Sequence, residues 1–402
     1  MKVKVYPSHL TGTINAVASK SYAHRYLIGA MLADGPTEIV MNSLSNDVSA
    51  TIKCIECLGG KVRVHKDRYK VTPIGRDLAK NRILDCKESA STLRFLFPII
   101  CALGCGGTFI GEGRLEDRPI TPLITAGDGC IFSGDKLPIT VNGKMKSGKI
   151  LLPADVSSQY VTGLLYALPL LDNDSEIIFT TTPVSTPYID MTVAVLKHFN
   201  VTSQKTPTGY KIKGGQRYIT PVNLEVEGDW SNMAFFYCAN AIGNIIRILG
   251  LSANTLQGDA CINEQLLKIR SSKGEIDCKD TPDLLPCLAV TSAYSTGTTT
   301  FKNVGMFRSK ESNRITALES NLAKLGIEVT KNADELVIKG NGMLNGGEID
   351  SFNDHRIVMS FAIAATKANG PITINNAECV AKSYPTFFDE MQKLGAKIEI
   401  IN

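Results

Sequence analysis

Lys149-Ile-Leu-Leu-Pro-Ala-Asp-Val-Ser-Ser158, running on into Gln159-Tyr-Val-Thr-Gly-Leu-Leu-Tyr-Ala-Leu-Pro-Leu-Leu171, decides how this chain is built. A short apolar strand meets a small, polar cap, and the cap opens a helix that is apolar nearly all round. Such a helix has no face for water and must be buried. The same succession starts at Thr13-Ile-Asn-Ala-Val-Ala-Ser-Lys-Ser21, Arg82-Ile-Leu-Asp-Cys-Lys-Glu-Ser-Ala-Ser91, Asn223-Leu-Glu-Val-Glu-Gly-Asp-Trp-Ser231, Glu275-Ile-Asp-Cys-Lys-Asp-Thr-Pro-Asp283 and Glu348-Ile-Asp-Ser-Phe-Asn-Asp-His-Arg356. The six helices close at turns around Gly35, Gly107, Asp174, Gly243, Gly297 and Gly370, spaced 72, 67, 69, 54 and 73 residues apart. A sixfold repeat of a small α/β module accounts for that spacing; a generic doubly wound sheet accounts only for the alternation.

Behind each second strand comes a more polar helix, several with a glycine end signal such as Cys57-Leu-Gly-Gly60, Lys324-Leu-Gly326 and Lys393-Leu-Gly395. A strand and often a hairpin strand follow. The 54-residue repeat is expected to lack its last strand, and the final repeat stops at Asn402 without one. Lys2-Val-Lys-Val-Tyr6 is expected to fill that gap, which places the N-terminal strands with the C-terminal half. Two lobes follow as an expectation: residues 1–18 with 229–402, and 19–228, with chain crossings near 18–20 and 227–230. No module buries its own apolar helix; three packed together do.

Composition narrows the function. Hydrophobic residues make up 44% of the 402, enough for a full core. The 43 Lys and Arg against 39 Asp and Glu leave +4, too little for a dedicated nucleic-acid or membrane-surface binder. The longest apolar runs fall short of a membrane span, and the N-terminus reads as a strand rather than a signal peptide. Eleven cysteines, an odd number at ordinary density, fit reduced thiols in the cytosol. Cys54-Ile-Glu-Cys57 has no second pair or histidine cluster to complete a metal site. A Walker A loop, GxGxxG after a strand, HExxH and GxSxG are all missing.

The helix starts carry the chemistry. They hold Lys20, Ser21 and Arg25; Arg94; Ser157, Ser158 and Gln159; Asp283; and His355 with Arg356. Loops after the second strands add Arg114, Arg118, Ser185, Tyr188, Lys310, Glu311, Arg314 and Lys382. Helix N-termini with one cation each make anion sites. Several together fit a small molecule bearing phosphate and carboxylate groups. Taken singly, each residue is an ordinary cap or surface ion pair; recurrence at equivalent places in a repeat sets them apart.

These residues resemble the motifs of the 5-enolpyruvylshikimate-3-phosphate synthase family. Ser19-Lys-Ser-Tyr-Ala-His-Arg25, Glu88-Ser-Ala-Ser-Thr-Leu-Arg94, Gly111-Glu-Gly-Arg-Leu-Glu-Asp-Arg-Pro119 and Val156-Ser-Ser-Gln159 carry the likeness in the first half. Ser185-Thr-Pro-Tyr188, Thr281-Pro-Asp283, Arg308-Ser-Lys-Glu-Ser-Asn-Arg314, Asn353-Asp-His-Arg356 and Ala381-Lys382 continue it, in order, to the end. The resemblance implies a two-lobed inside-out α/β barrel of six βαβαββ repeats, three per lobe, closing on substrate. It implies transfer of the enolpyruvyl group of phosphoenolpyruvate to the 5-hydroxyl of shikimate 3-phosphate, with release of phosphate and no metal or organic cofactor. Its implied partners are those two substrates, with no nucleic acid or membrane, in a cytoplasmic monomer.

By the same resemblance Asp283 and Glu311 are the acid–base pair, Asp283 at the 5-hydroxyl and Glu311 at the methylene or the reverse, with Lys20 beside them. Lys20, Ala90, Arg94, Arg118, Gln159, Arg314, Arg356 and Lys382 bind phosphoenolpyruvate. Ser21, Arg25, Ser157, Ser158, Gln159, Ser185, Tyr188, Asp283 and Lys310 bind shikimate 3-phosphate. Three positions depart from the family pattern: Met306 for a polar Asn, Asn313 for an Asp before Arg314, and Ala90 for a glycine at the phosphoenolpyruvate pocket, which implies tolerance of glyphosate. A sister enzyme acting on UDP-N-acetylglucosamine typically has a cysteine in the mobile loop before Arg-Pro; Gly111–Pro119 has none. A polyanion-binding protein is the rival of another class. It calls for clustered cations with stacking aromatics, against the dispersed cations and single tryptophan seen here.

Overall fold

A computed structural model describes residues 1–75, 81–271 and 273–401. The chain forms two compact units: a middle unit, Ala18–Glu227, and a terminal unit, Met1–Val17 with Gly228–Asn402. Within the described residues, five four-stranded sheets and one two-stranded sheet carry the repeat.

Each four-stranded sheet has one plan. Lys149–Leu152 pairs parallel with Ser175–Phe179, because the buried helix Ser158–Ala167 returns the chain to the same end. Gly209–Ile212 then pairs antiparallel with Ser175–Phe179, and Ser203–Thr206 lies outside it as the hairpin partner. The sheets Arg82–Asp85/Gly107–Ile110/Ile139–Gly143/Cys130–Phe132 and Lys273–Asp277/Thr298–Lys302/Glu335–Lys339/Glu328–Lys331 repeat this order. In the last sheet Lys2–Tyr6 takes the missing place, antiparallel to both Ile372–Asn375 and Lys397–Ile401.

One feature differs from the sequence expectation. The short repeat lacks both hairpin strands, not one: Ile245–Leu249 has a single partner, Thr11–Asn15. The strands beside the two chain crossings pair across the repeat boundary, consistent with crossings near 18–20 and 227–230. Thr11–Asn15 leads into the Lys20–Leu32 helix of the middle unit yet pairs in the terminal unit. Leu224–Glu225 leads into the Trp230–Ala241 helix of the terminal unit yet pairs with Thr37–Val40 in the middle unit. Each crossing thus falls between a strand and the helix it introduces. Gly228 stands at one of them; a Cβ there would lie 2.3 Å from the Gly250 carbonyl oxygen and 2.7 Å from the Ala16 methyl.

The apolar helices fill both interiors. In the middle unit every residue of Ala90–Leu103 except Ser91 and Leu103 is buried, and it packs along Ser158–Ala167. That approach requires Gly163, whose Cβ would come within 2.2 Å of the Arg94 carbonyl oxygen. In the terminal unit Trp230–Ala241, Leu285–Ser292 and His355–Ala365 pack together. The sheets therefore cover the helices, and the helix starts are delivered to the strand ends. Among the described residues no helix is long and apolar enough to cross a membrane.

Candidate active site

The cations of these helices and loops are buried. Arg25, Arg94, Arg118, Arg314, Arg356 and Lys382 are each at most 8% exposed. Burying an unpaired charge is costly, and a cation in the first turn of a helix opposes the macrodipole. Lys20 and Arg314 begin their helices and Arg356 is second in its own. Helix-start stability alone does not favour such positions, whereas an anion site would use them.

In the middle unit the partners are largely neutral oxygens. Arg94 donates to Gln159 Oε1 at 2.9 Å, the Pro119 carbonyl at 2.9 Å and Ser157 Oγ at 3.3 Å, and lies 4.8 Å over the Tyr160 ring. Gln159 Nε2 donates to Ser91 Oγ at 3.0 Å, and the Tyr160 hydroxyl donates to the same Pro119 carbonyl at 2.6 Å. Ser91, Arg94, Ser157, Gln159 and the Arg118-Pro119 turn are thereby one cluster, with Ala90 next to Ser91 in the chain. Arg25 donates to the carbonyls of Ser21 and Tyr188, both at 2.8 Å, and to the Thr192 hydroxyl at 3.0 Å. Burial lowers its pKa. Arg25 so joins Ser21 to Tyr188, and Ser185 sits beside them in the left-handed region at φ 54°, its carbonyl accepting from Tyr188 N. Lys20 Nζ donates to Asp47 at 2.9 Å.

In the terminal unit carboxylates take over. Arg314, 1% exposed, donates from Nε to Asp354 at 2.8 Å and from Nη2 to Glu311 at 2.9 Å, and its Nη1 lies 3.4 Å from Asp283. Burial pulls its pKa down, and the charges of Asp354, Glu311 and Asp283 outweigh that, so the net shift is upward. Arg356 Nη2 donates to the other Asp283 oxygen at 2.8 Å. Asp283 is not a helix-start acid: the helix begins at Leu285, and the side chain bridges two guanidiniums instead. Asp354 caps its own helix, accepting from Arg356 N at 2.9 Å, and also accepts from Ser312 Oγ at 3.0 Å. Phe352 and Asn353 before it are both left-handed, at φ 52° and 55°. That strained pair turns Asp354 onto Arg314.

Of the residues expected from sequence, Arg94 thus meets Ser157 and Gln159, Arg25 joins Ser21 to Tyr188, and Arg314 and Arg356 meet Asp283, with Glu311 on Arg314. Ser157 caps the Ser158–Ala167 helix, accepting from Gln159 N. Asn313 caps the Arg314–Lys324 helix by accepting from Thr316 N at 3.2 Å, as an aspartate would but without charge. Met306 packs its side chain against the apolar core. Ser158 and Lys382 are buried and Lys310 is half-buried. Two residues were missed: Asp47, which holds Lys20, and Asp354, which holds Arg314. Each reads in sequence as a helix-start acid, and that shared signal hides the second partner. A cavity of about 490 Å³ in the middle unit lies elsewhere, around Lys149, Ser175 and Lys213.

A profile of the family described as EPSP synthase (3-phosphoshikimate 1-carboxyvinyltransferase) matches residues 5–391. The chain belongs to the EPSP synthase family. The 3-phosphoshikimate 1-carboxyvinyltransferase of Clostridium novyi is 39% identical, over 99% of this chain and 98% of that one. Those of Clostridium kluyveri and Clostridioides difficile are 38% and 37% identical with the same coverage. The EPSP synthase fold is matched over the full length of both chains by the enzyme from Acinetobacter baumannii, with a TM-score of 0.82 at 23% identity. The enolpyruvyl transferase NikO from Streptomyces tendae follows at 0.79 and 16%. As an EPSP synthase family member, the chain is an enolpyruvyl transferase of the shikimate route to aromatic amino acids.

Proposed function

We propose that the clusters described above carry the EPSP synthase reaction in this chain: addition of the 5-hydroxyl of shikimate 3-phosphate to phosphoenolpyruvate, then elimination of phosphate. The observation that carries this reading is the Arg314 guanidinium, which holds Glu311 and Asp283 at once. The addition needs a proton delivered to the methylene carbon while the hydroxyl loses one; the elimination reverses the methylene transfer and expels phosphate. Two carboxyl groups steadied by one cation supply both. Asp283, set between Arg314 and Arg356, takes the hydroxyl proton, and Glu311 serves the methylene.

The phosphoenolpyruvate ligands we assign are Lys20, Arg94, Arg118, Gln159, Arg314, Arg356 and Lys382, with Ala90 lining the pocket. The substrate's phosphate and carboxylate match guanidinium and helix-start donors. Shikimate 3-phosphate takes Ser21, Arg25, Ser157, Ser158, Gln159, Ser185, Tyr188 and Lys310, with Asp283 at its hydroxyl. The Arg25 bonds to the Ser21 and Tyr188 carbonyls support grouping those residues. The test is phosphate release from phosphoenolpyruvate with shikimate 3-phosphate or UDP-N-acetylglucosamine as acceptor, with and without chelator. Release with the first acceptor alone, unaffected by chelator, is the expected result; release with the second overturns the acceptor assignment.

A further inference from the structure

Three helices of the middle unit start at this candidate site: Lys20–Leu32, Asn46–Cys57 and Ala90–Leu103. Within the first turn or one turn below each start sits a polar side chain sealed from water: His24, Thr51 and Thr92, none more than 1% exposed. His24 is four residues past Lys20, Thr51 four past Asp47, and Thr92 two past Ala90. They touch one another. His24 Nδ1 is 2.8 Å from Thr51 Oγ1, Thr51 Oγ1 is 2.7 Å from Thr92 Oγ1, and Thr92 Oγ1 donates to Ser89 Oγ at 2.8 Å. Ser89 caps the third helix, and the Thr92 hydroxyl also lies 3.4 Å from the Asp47 carbonyl.

The hydrogens of this thread run one way. Thr92 spends its single hydroxyl hydrogen on Ser89, so it accepts from Thr51; Thr51 then accepts from His24 Nδ1–H. Burial holds His24 far below its usual range, at about 3, so the ring is neutral and can take that tautomer. An edge-on contact with Phe95 at 6.4 Å steadies it. A valine at position 51 would pack the same space. What an apolar seam lacks is direction: a buried thread of hydrogen bonds fixes the offset between helices that greasy contacts allow to slide.

We propose that Thr51 is a positioning residue for the phosphoenolpyruvate subsite, setting the offset between the Lys20–Asp47 pair and the helix start that bears Ala90 and Arg94. This rests on the assignment of those residues to that subsite. Thr51 touches no substrate; it acts through the helix starts.

The test compares Thr51→Val, Thr51→Ser and wild type in steady-state phosphate release. Thr51→Val is expected to raise KM for phosphoenolpyruvate about tenfold, with kcat within about twofold and KM for shikimate 3-phosphate unchanged. Thr51→Ser, which keeps the hydroxyl, restores the wild-type KM. Thr92→Ala cuts the thread at its other end and reads the same split if Thr51→Val does not fold. An unchanged KM in Thr51→Val overturns the proposal. So does a parallel loss in all constants that Thr51→Ser fails to rescue, since that marks a merely structural hydroxyl. Wild-type protein that releases no phosphate from the two substrates overturns the functional reading instead.

Discussion

Arg25 and Arg314 are both buried helical arginines, and their surroundings are opposite. Arg25 meets carbonyl and hydroxyl oxygens, and burial lowers its pKa. Arg314 meets three carboxylates, and their charges raise its pKa in spite of burial. The lesson is one of division of labour. Neutral acceptors fix a guanidinium while leaving its charge for an incoming anion. Carboxylates cancel much of that charge, and are worth burying only where they have work of their own. In the terminal unit the work proposed for them is proton transfer.

The comparison breaks most visibly at Asp354. Asp354→Ala leaves Arg314 buried without its closest ionic partner and is expected to destabilise the protein by about 3–5 kcal/mol, measured by urea unfolding. The matching change in the middle unit, Thr192→Val, removes one of several neutral acceptors of Arg25. An equal loss there would erase the distinction between the two surroundings.

Catalysis comes next. Glu311→Gln and Asp283→Asn should each lower kcat by at least about 100-fold, the usual scale for a positioned acid or base, while titration calorimetry still shows both substrates binding. Near-wild-type turnover in either variant removes that carboxylate from the proton transfers.

The neutral cluster is probed at Ala90, 4% exposed and first in its helix. Its methyl group should spare phosphoenolpyruvate and crowd glyphosate, which is longer when extended. Overpacking of this kind costs about 1–3 kcal/mol, or roughly ten- to a hundredfold in affinity. Ala90→Gly should therefore sharpen glyphosate inhibition by that factor with little change in KM for phosphoenolpyruvate. Equal inhibition of the two proteins refutes the steric account.

A pH-dependent effect concerns Asp259, whose carboxyl accepts from Ser231 Oγ in the terminal unit. Burial, and then the charge of Asp283, lift its pKa from 3.8 to about 7. The folded state keeps this proton between those values while the unfolded chain has lost it. The stability this group confers is full below pH 4 and is lost as pH rises through about 7, at about 1.4 kcal/mol per unit. Arg356 opposes the shift and Asp229 adds to it. Asp259→Asn should flatten the fall of Tm between pH 5 and 8. Parallel Tm curves would show that Asp259 ionises freely in the fold.

Much of this protein is written in its order of residues. Period and polarity determine the six strand–helix modules, because a helix apolar on all sides has only one place to go. The cations at helix starts stand out for the same kind of reason: they sit where the dipole disfavours them, so their recurrence is a signal of function. The missing final strand even indicates where Lys2–Tyr6 belongs.

What tertiary structure alone decided is which partner each group meets. That Thr11–Asn15 pairs with Ile245–Leu249, and Leu224–Glu225 with Thr37–Val40, leaves no trace in local pattern, since a two- or five-residue strand reads the same whichever strand accepts it. The loss of both hairpin strands from the short repeat was half hidden for the same reason. Asp47 and Asp354 look alike in sequence, each an acid at a helix start; only folding sets one on Lys20 and the other on Arg314. Local pattern reports a residue's own preferences. Ion pairs, threads of hydroxyls and strand partners join residues far apart in the chain, so they exist only once the chain has closed on itself.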